Sequence, residues 1–88
     1  MREKELEKIL KALANRRRLA ILAYLKRTRE MTVGSVAKEI RLSFAATSRH
    51  LVIMERSGIL EKEQHNKEVF YRLAPPSKAF LGALFVEL

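Results

Sequence analysis

"SFAATSRHLVIMERSGIL", residues 43–60, opens on a capping serine and closes on a glycine followed by two branched apolar residues. Between them Thr47, Leu51 and Met54 recur at helical spacing and define one inward side. The other side carries Ala45, Ala46, Ser48 and Arg49, with Val52 beyond them. Ser43 is a favoured N-cap, and Gly58 is the stop expected just past a helix end. The stretch therefore reads as a helix over 44–57 with a greasy inner edge and an outer edge of small and hydroxyl side chains plus one arginine.

The period then changes. "ILEKEQ" (59–64) and "EVFYRLA" (68–74) read as strands, the second rich in β-branched and aromatic residues. "HNK" (65–67) joins them, with Asn66 suited to a left-handed turn conformation. Pro75 and Pro76 end the second strand.

Upstream, a helix over about 2–14 carries the stripe Leu6, Ile9, Leu10 and Leu13. Asn15 caps a second helix to about residue 27, which buries Leu19, Ile21, Leu22 and Leu25. Residues 28–31 read as a connection. Thr32 caps a short third helix whose apolar residues are Val33, Val36, Ala37 and Ile40. From Ser77 the chain is helical again, with Leu81, Leu84, Phe85 and Leu88 in one stripe. The order is helix, helix, helix, helix, β-hairpin, helix. This is a mainly α single domain over 1–88, and a short helix, a tight turn, a longer helix and a hairpin make a winged helix-turn-helix.

Composition points the same way. The chain has 88 residues and a net charge of +8, the footprint of a polyanion binder. Residues 16–29 hold Arg16, Arg17, Arg18, Lys26, Arg27 and Arg29 and no acid. There is no cysteine, which excludes disulfides and thiolate chemistry and fits a reducing cytoplasm. No apolar run approaches the roughly 20 residues of a membrane span. The opening "MREKELEKIL" is too charged for a signal peptide. A cytoplasmic protein with no membrane association is expected. So small a domain buries only about 60% of its unfolded surface, and self-association is a common support for such a core.

Four stretches carry a family resemblance. "LKALANRRRLAIL" (10–22), "MTVGSVAKEIRLS" (31–43), "SRHLVIMERSGIL" (48–60) and "KEVFYRL" (67–73) together resemble the ArsR-type winged helix-turn-helix transcription regulators. The third is similar to the family's Ser-x-His-Leu-x-x-Leu-x-x-x-Gly-Leu/Ile signature, with Met54 in place of the second leucine. The resemblance covers about residues 6–74. It implies a homodimer, paired through its terminal helices, that binds operator DNA and usually represses transcription. Many such regulators sense metals through a Cys-x-Cys on the third helix; here Thr32 and Gly34 stand at the matching positions. Others use Asp and His on the last helix, which here offers only Glu87. Neither a metal site nor a cofactor is expected, and the effector, if one exists, is unknown.

Roles follow residue by residue. Ser43 is a cap and a phosphate anchor. Ser48 and Arg49 are candidates to read bases, because arginine can grip guanine with two hydrogen bonds; the plainer reading confines Arg49 to phosphate or solvent. Ala45 and Ala46 allow close approach to the major groove. His50 is read as a packing histidine bonded to a backbone group or phosphate in preference to a pH switch or ligand. On the hairpin tip Gln64, Asn66 and Lys67 are placed for the minor groove or its phosphates. Arg16 and Arg17 are phosphate candidates, and Arg18 is read as structural. Leu6, Ile9, Leu10 and Leu13, with Leu81, Leu84, Phe85 and Leu88, are the expected dimer interface. Phe44 is read first as a cover over the core, with thymine or sugar contact and a partner surface as alternatives.

The leading function is a sequence-specific, DNA-binding transcription regulator, a repressor that binds a palindromic operator. Its rivals are a non-specific architectural binder and a protein-interaction module. An enzyme is not expected, since no triad spacing or glycine-rich phosphate loop is present.

Overall fold

A computed structural model describes residues 2–88. It contains α1 (Arg2–Leu13), α2 (Arg16–Thr28), β1 (Glu30–Thr32), α3 (Val33–Ile40), α4 (Phe44–Arg56), β2 (Leu60–His65), β3 (Glu68–Leu73) and α5 (Ala79–Glu87). The architecture is the five-helix winged helix-turn-helix expected, with one strand more.

The helix starts follow from their caps. The Asn15 side chain accepts from the Arg18 N–H, Thr32 from Ser35 and Ser43 from Ala46. Each satisfies a backbone donor that the first turn leaves open. The stops follow from left-handed residues. Gly58 (φ 79°) turns the chain out of α4, and its N–H donates to the Glu55 carbonyl. Arg41 (φ 56°) makes the turn between α3 and α4, a conformation that costs a non-glycine residue about 1 kcal/mol. Asn66 (φ 58°) supplies the hairpin turn as expected.

Two expectations are corrected. Residues 28–31 are not merely a connection: Glu30–Thr32 forms β1, antiparallel to β3, with Met31 opposite Tyr71. The sheet order is β1-β3-β2. Three residues are too few to show an alternating pattern, so this strand exists only through its pairing. The last helix begins at Ala79 rather than Ser77, because Ser77 and Lys78 form a bend after the two prolines, and Lys78 makes no side-chain cap.

The core lies where α2, α4 and the sheet meet. Ile21, Leu22 and Leu25 of α2 pack with Leu51 and Met54 of α4, with Ile59 and Leu60, and with Tyr71. Val36 brings in α3 and Leu81 brings in α5. Leu19, Val33 and Ile40, expected inside, are half-buried. On β3 the alternation resolves in favour of Tyr71, which is buried, while Phe70 is half-exposed and takes the His65 ring edge-on at 5.6 Å.

Among the described residues Thr47 is the buried polar side chain of the core, and its Oγ1 has no hydrogen-bond partner there. A hydroxyl buried unpaired costs about 1–3 kcal/mol. Thr47→Val, which keeps the shape, is therefore expected to stabilise the chain by about 1 kcal/mol, seen as a melting temperature higher by about 4–8 °C in scanning calorimetry. A lower melting temperature would show that the hydroxyl is satisfied in solution.

Candidate nucleic-acid interface

Helix α4 is held by one edge and open on the other. Thr47, Leu51 and Met54 are fully buried. Ala45 and Arg49 are exposed, and Ala46, Ser48 and Val52 are half-buried. Ser43 Oγ accepts from the Ala46 N–H at 3.1 Å, which fixes the first turn. Arg49 makes no hydrogen bond or ion pair with the described residues, so its five donors face solvent.

The wing lies near the start of this helix, where Phe44 shares a depression with Lys67, Glu68 and Val69. Gln64 Nε2 donates to the Asn66 carbonyl at 3.2 Å and stiffens the hairpin tip, and Lys67 is exposed there. The acids of the sheet are drawn off to one arginine. Arg72 binds Glu61 through Nε at 3.0 Å, and Glu63 at 3.0 Å and Glu30 at 3.4 Å through Nη1. Glu61 and Glu30 are its direct cross-strand partners. Three carboxylates that would repel a polyanion are thus gathered around one cation. Glu68 lies outside this cluster, at the tip end of the wing opposite His65.

His50 is not on the open edge. Its Nδ1 accepts from Arg18 Nε at 3.1 Å, and the same guanidinium donates from Nη1 to the Ala12 carbonyl at 3.2 Å and the Lys11 carbonyl at 3.4 Å. The packing reading of His50 and the structural reading of Arg18 therefore coincide in one contact, with a side chain as the partner instead of backbone or phosphate. An imidazole that accepts at Nδ1 is neutral and carries its proton on Nε2. Burial, then the positive charges of Arg18, Arg17 and Arg49, push its pKa below 6.5.

Arg16 and Arg17 are exposed at the start of α2. They line a groove of about 650 Å³ between α2 and α3, with Arg27, Arg41 and Tyr24. Arg17 Nη1 donates to the Ile40 carbonyl at 3.2 Å, and Arg27 lies 5.3 Å from the Tyr24 ring centroid. The spacing Arg16, Ala20, Ala23, Arg27 puts these on one helix face and is legible in the sequence.

Phe44 is corrected outright. It is 63% exposed and covers no core. It sits at the first turn of α4, where the helix end projects past the packed residues.

The terminal stripes divide. Ile9 and Leu13 of α1 and Leu81 of α5 are buried in this chain's own core. Leu84, Phe85 and Leu88 are partly buried against it. Leu6 is half-buried, and Leu10 is 54% exposed. Phe80 and Val86, not foreseen, are also exposed. Lys78 Nζ pairs with Glu5 at 3.0 Å and ties α5 to α1. No group of three or more metal-ligating side chains converges among the described residues.

The His50 contact sets a pH dependence. The unfolded chain protonates His50 near its ordinary pKa, whereas the folded chain holds it neutral to a lower pH. Its contribution is complete above about pH 6.5 and is lost as pH falls through the lowered folded value, by at most about 1.4 kcal/mol per pH unit. Urea unfolding at pH 7.5 and 5.5 should show the wild type losing stability relative to His50→Asn, whose amide oxygen keeps the acceptor but does not titrate. Parallel losses would contradict the assignment.

Comparison with known proteins bears on this geometry. The helix-turn-helix domain family matches residues 13–63. The arsenical resistance operon repressor of Escherichia coli is 32% identical over 79 residues, 90% of this chain and 68% of that protein. The transcriptional activator HlyU of Vibrio cholerae is 39% identical over 66 residues, 75% of this chain and 60% of that protein, so the chain spans less than two thirds of its length. A homodimeric winged helix-turn-helix DNA-binding domain from Mycobacterium bovis superposes with a TM-score of 0.80 at 26% identity, covering 96% of this chain and 74% of that one. With the fold, the signature on α4 and these relatives in agreement, the chain belongs to the helix-turn-helix family and, within it, to the ArsR-type winged helix-turn-helix transcriptional regulators.

Proposed function

We propose that the protein is a cytoplasmic, sequence-specific regulator that binds a palindromic operator as a homodimer and represses transcription. The observation that carries this reading is the open edge of α4. Its inner edge is locked, its outer edge offers Ala45, Ser48 and an unengaged Arg49, and the exposed Lys67 stands on the wing, across a depression from the first residue of the helix.

Each part has a task. The capped N-terminus at Ser43 directs backbone N–H groups toward a phosphate. Arg49 and Ser48 reach base edges in the major groove, and Ala45 lets the helix approach. Lys67 and Asn66 reach phosphates near the adjacent minor groove and position the complex without reading it. The net charge of +8 adds long-range attraction. No helix is long and apolar enough to cross a membrane among the described residues, which suits a DNA ligand.

Dimerisation uses the outward residues of the terminal helices, with Leu6 and Leu10 of α1 meeting Phe80, Phe85 and Val86 of α5 in a second copy. Two recognition helices then lie roughly 34 Å apart, which matches half-sites one turn apart.

Selection from a random duplex pool, followed by affinity measurement against random duplex at matched salt, tests the reading. A preferred, two-fold symmetric site is expected, bound at least about 1,000-fold more tightly than random DNA; a ratio near one points to an architectural binder instead. Arg49→Ala should weaken the selected site by about 1–3 kcal/mol and relax one position. Leu10→Glu should weaken self-association by roughly 100-fold in sedimentation equilibrium, since a buried leucine is lost in each copy. An unchanged oligomer would place the interface elsewhere.

A further inference from the structure

Phe44 is the large apolar side chain that the account above leaves without a purpose. It is 63% exposed at the first residue of α4, immediately after the cap. One turn on, Ser48 lies on the same side of the helix. The ring borders a depression of about 300 Å³ walled by Thr32, Val33 and Gly34 at the start of α3 and by Lys67, Glu68 and Val69 at the tip end of the wing. These three walls are the first turn of α3, the first turn of α4 and the wing. In the DNA complex proposed above all three approach the duplex.

We infer that Phe44 reads the C5-methyl group of a thymine in the major groove, and so fixes a thymine in each half-site. The inference rests on the DNA-binding reading. The first residues of a recognition helix are those that meet base edges. A phenyl ring has no donor or acceptor for a phosphate or a polar base edge, while the thymine methyl is the apolar group that the standard bases present in that groove. Burying the ring there removes an exposed aromatic surface and gives the methyl a dry contact. The depression beside it is open at Gly34, where an added Cβ would meet nothing within 4 Å, so the far wall does not crowd the site from that side. Phe44 is thus a specificity-determining residue, complementary to Arg49: one selects by shape and apolar contact, the other by hydrogen bonds.

Uracil scanning separates this from every other role. Duplex selected from a random pool with the full chain is resynthesised with each thymine replaced in turn by uracil, which removes only the methyl. Wild-type protein should bind about fourfold more weakly for one thymine position in each half-site, the worth of one buried methyl group. Phe44→Ala should bind the thymine duplex more weakly and lose the distinction between thymine and uracil at that position; Phe44→Leu should keep part of it. Both variants should melt as the wild type does, because the ring is outside the core. A uracil penalty that persists unchanged in Phe44→Ala overturns the inference, as does tolerance of uracil at every position. Loss of binding by Phe44→Ala equally to all sequences also overturns it and assigns a backbone contact. A pool that yields no preferred sequence overturns the DNA reading and this inference with it, whereas a preferred site indifferent to uracil overturns this inference alone.

Discussion

The guanidinium of Arg18 stands where three helices meet, and the rest of the site depends on that contact. It starts from the first turn of α2, an unfavourable place for a cation beside the positive end of a helix dipole. The structure offsets this by bringing in two carbonyls from the C-terminal end of α1 and the Nδ1 of His50 on α4. One side chain therefore joins α1, α2 and α4. Because His50 is held from within, the opposite edge of α4 is left to Ala45, Ser48 and Arg49. The orientation of the exposed edge is a consequence of what the inner edge is tied to.

A second constraint acts through the sheet. Strand β1 runs directly into α3, so its pairing with β3 places the first turn of α3 beside the wing. Thr32 serves both elements, as the last residue of the strand and the cap of the helix. Arg72 then draws Glu30, Glu61 and Glu63 together across the sheet. Lys67 at the tip and Arg49 on α4 keep their charges unpaired among the described residues.

Much of this was legible in the residues alone. The caps Asn15, Thr32 and Ser43 and the stop at Gly58 act through local geometry, and each sits where the residue type placed it. The inner edge of α4 was legible from spacing. Strand β1 was not, because three residues have no period and their pairing partner lies about 40 positions away. The terminal stripes were legible as apolar but not as to what covers them: Ile9, Leu13 and Leu81 face this chain's own core, and spacing cannot distinguish a core from a partner. Phe44 misled for a related reason. Its position on the helical wheel is close to the core side, but at the end of a helix the core has run out beneath it. His50 was legible as a packing residue, although its partner, 32 positions earlier, was not.

The central claim is that Arg18 and His50 act as one fastening between α2 and α4. A double-mutant cycle on the free energy of urea unfolding measures this directly, using Arg18→Met, His50→Leu and the pair at pH 7.5. The account predicts that each single change is costly and that the two together cost about 1 kcal/mol or more less than their sum, because either one alone already breaks the shared contact. Costs that add to within a few tenths of a kcal/mol would contradict it and would mean that α4 is oriented by apolar packing alone.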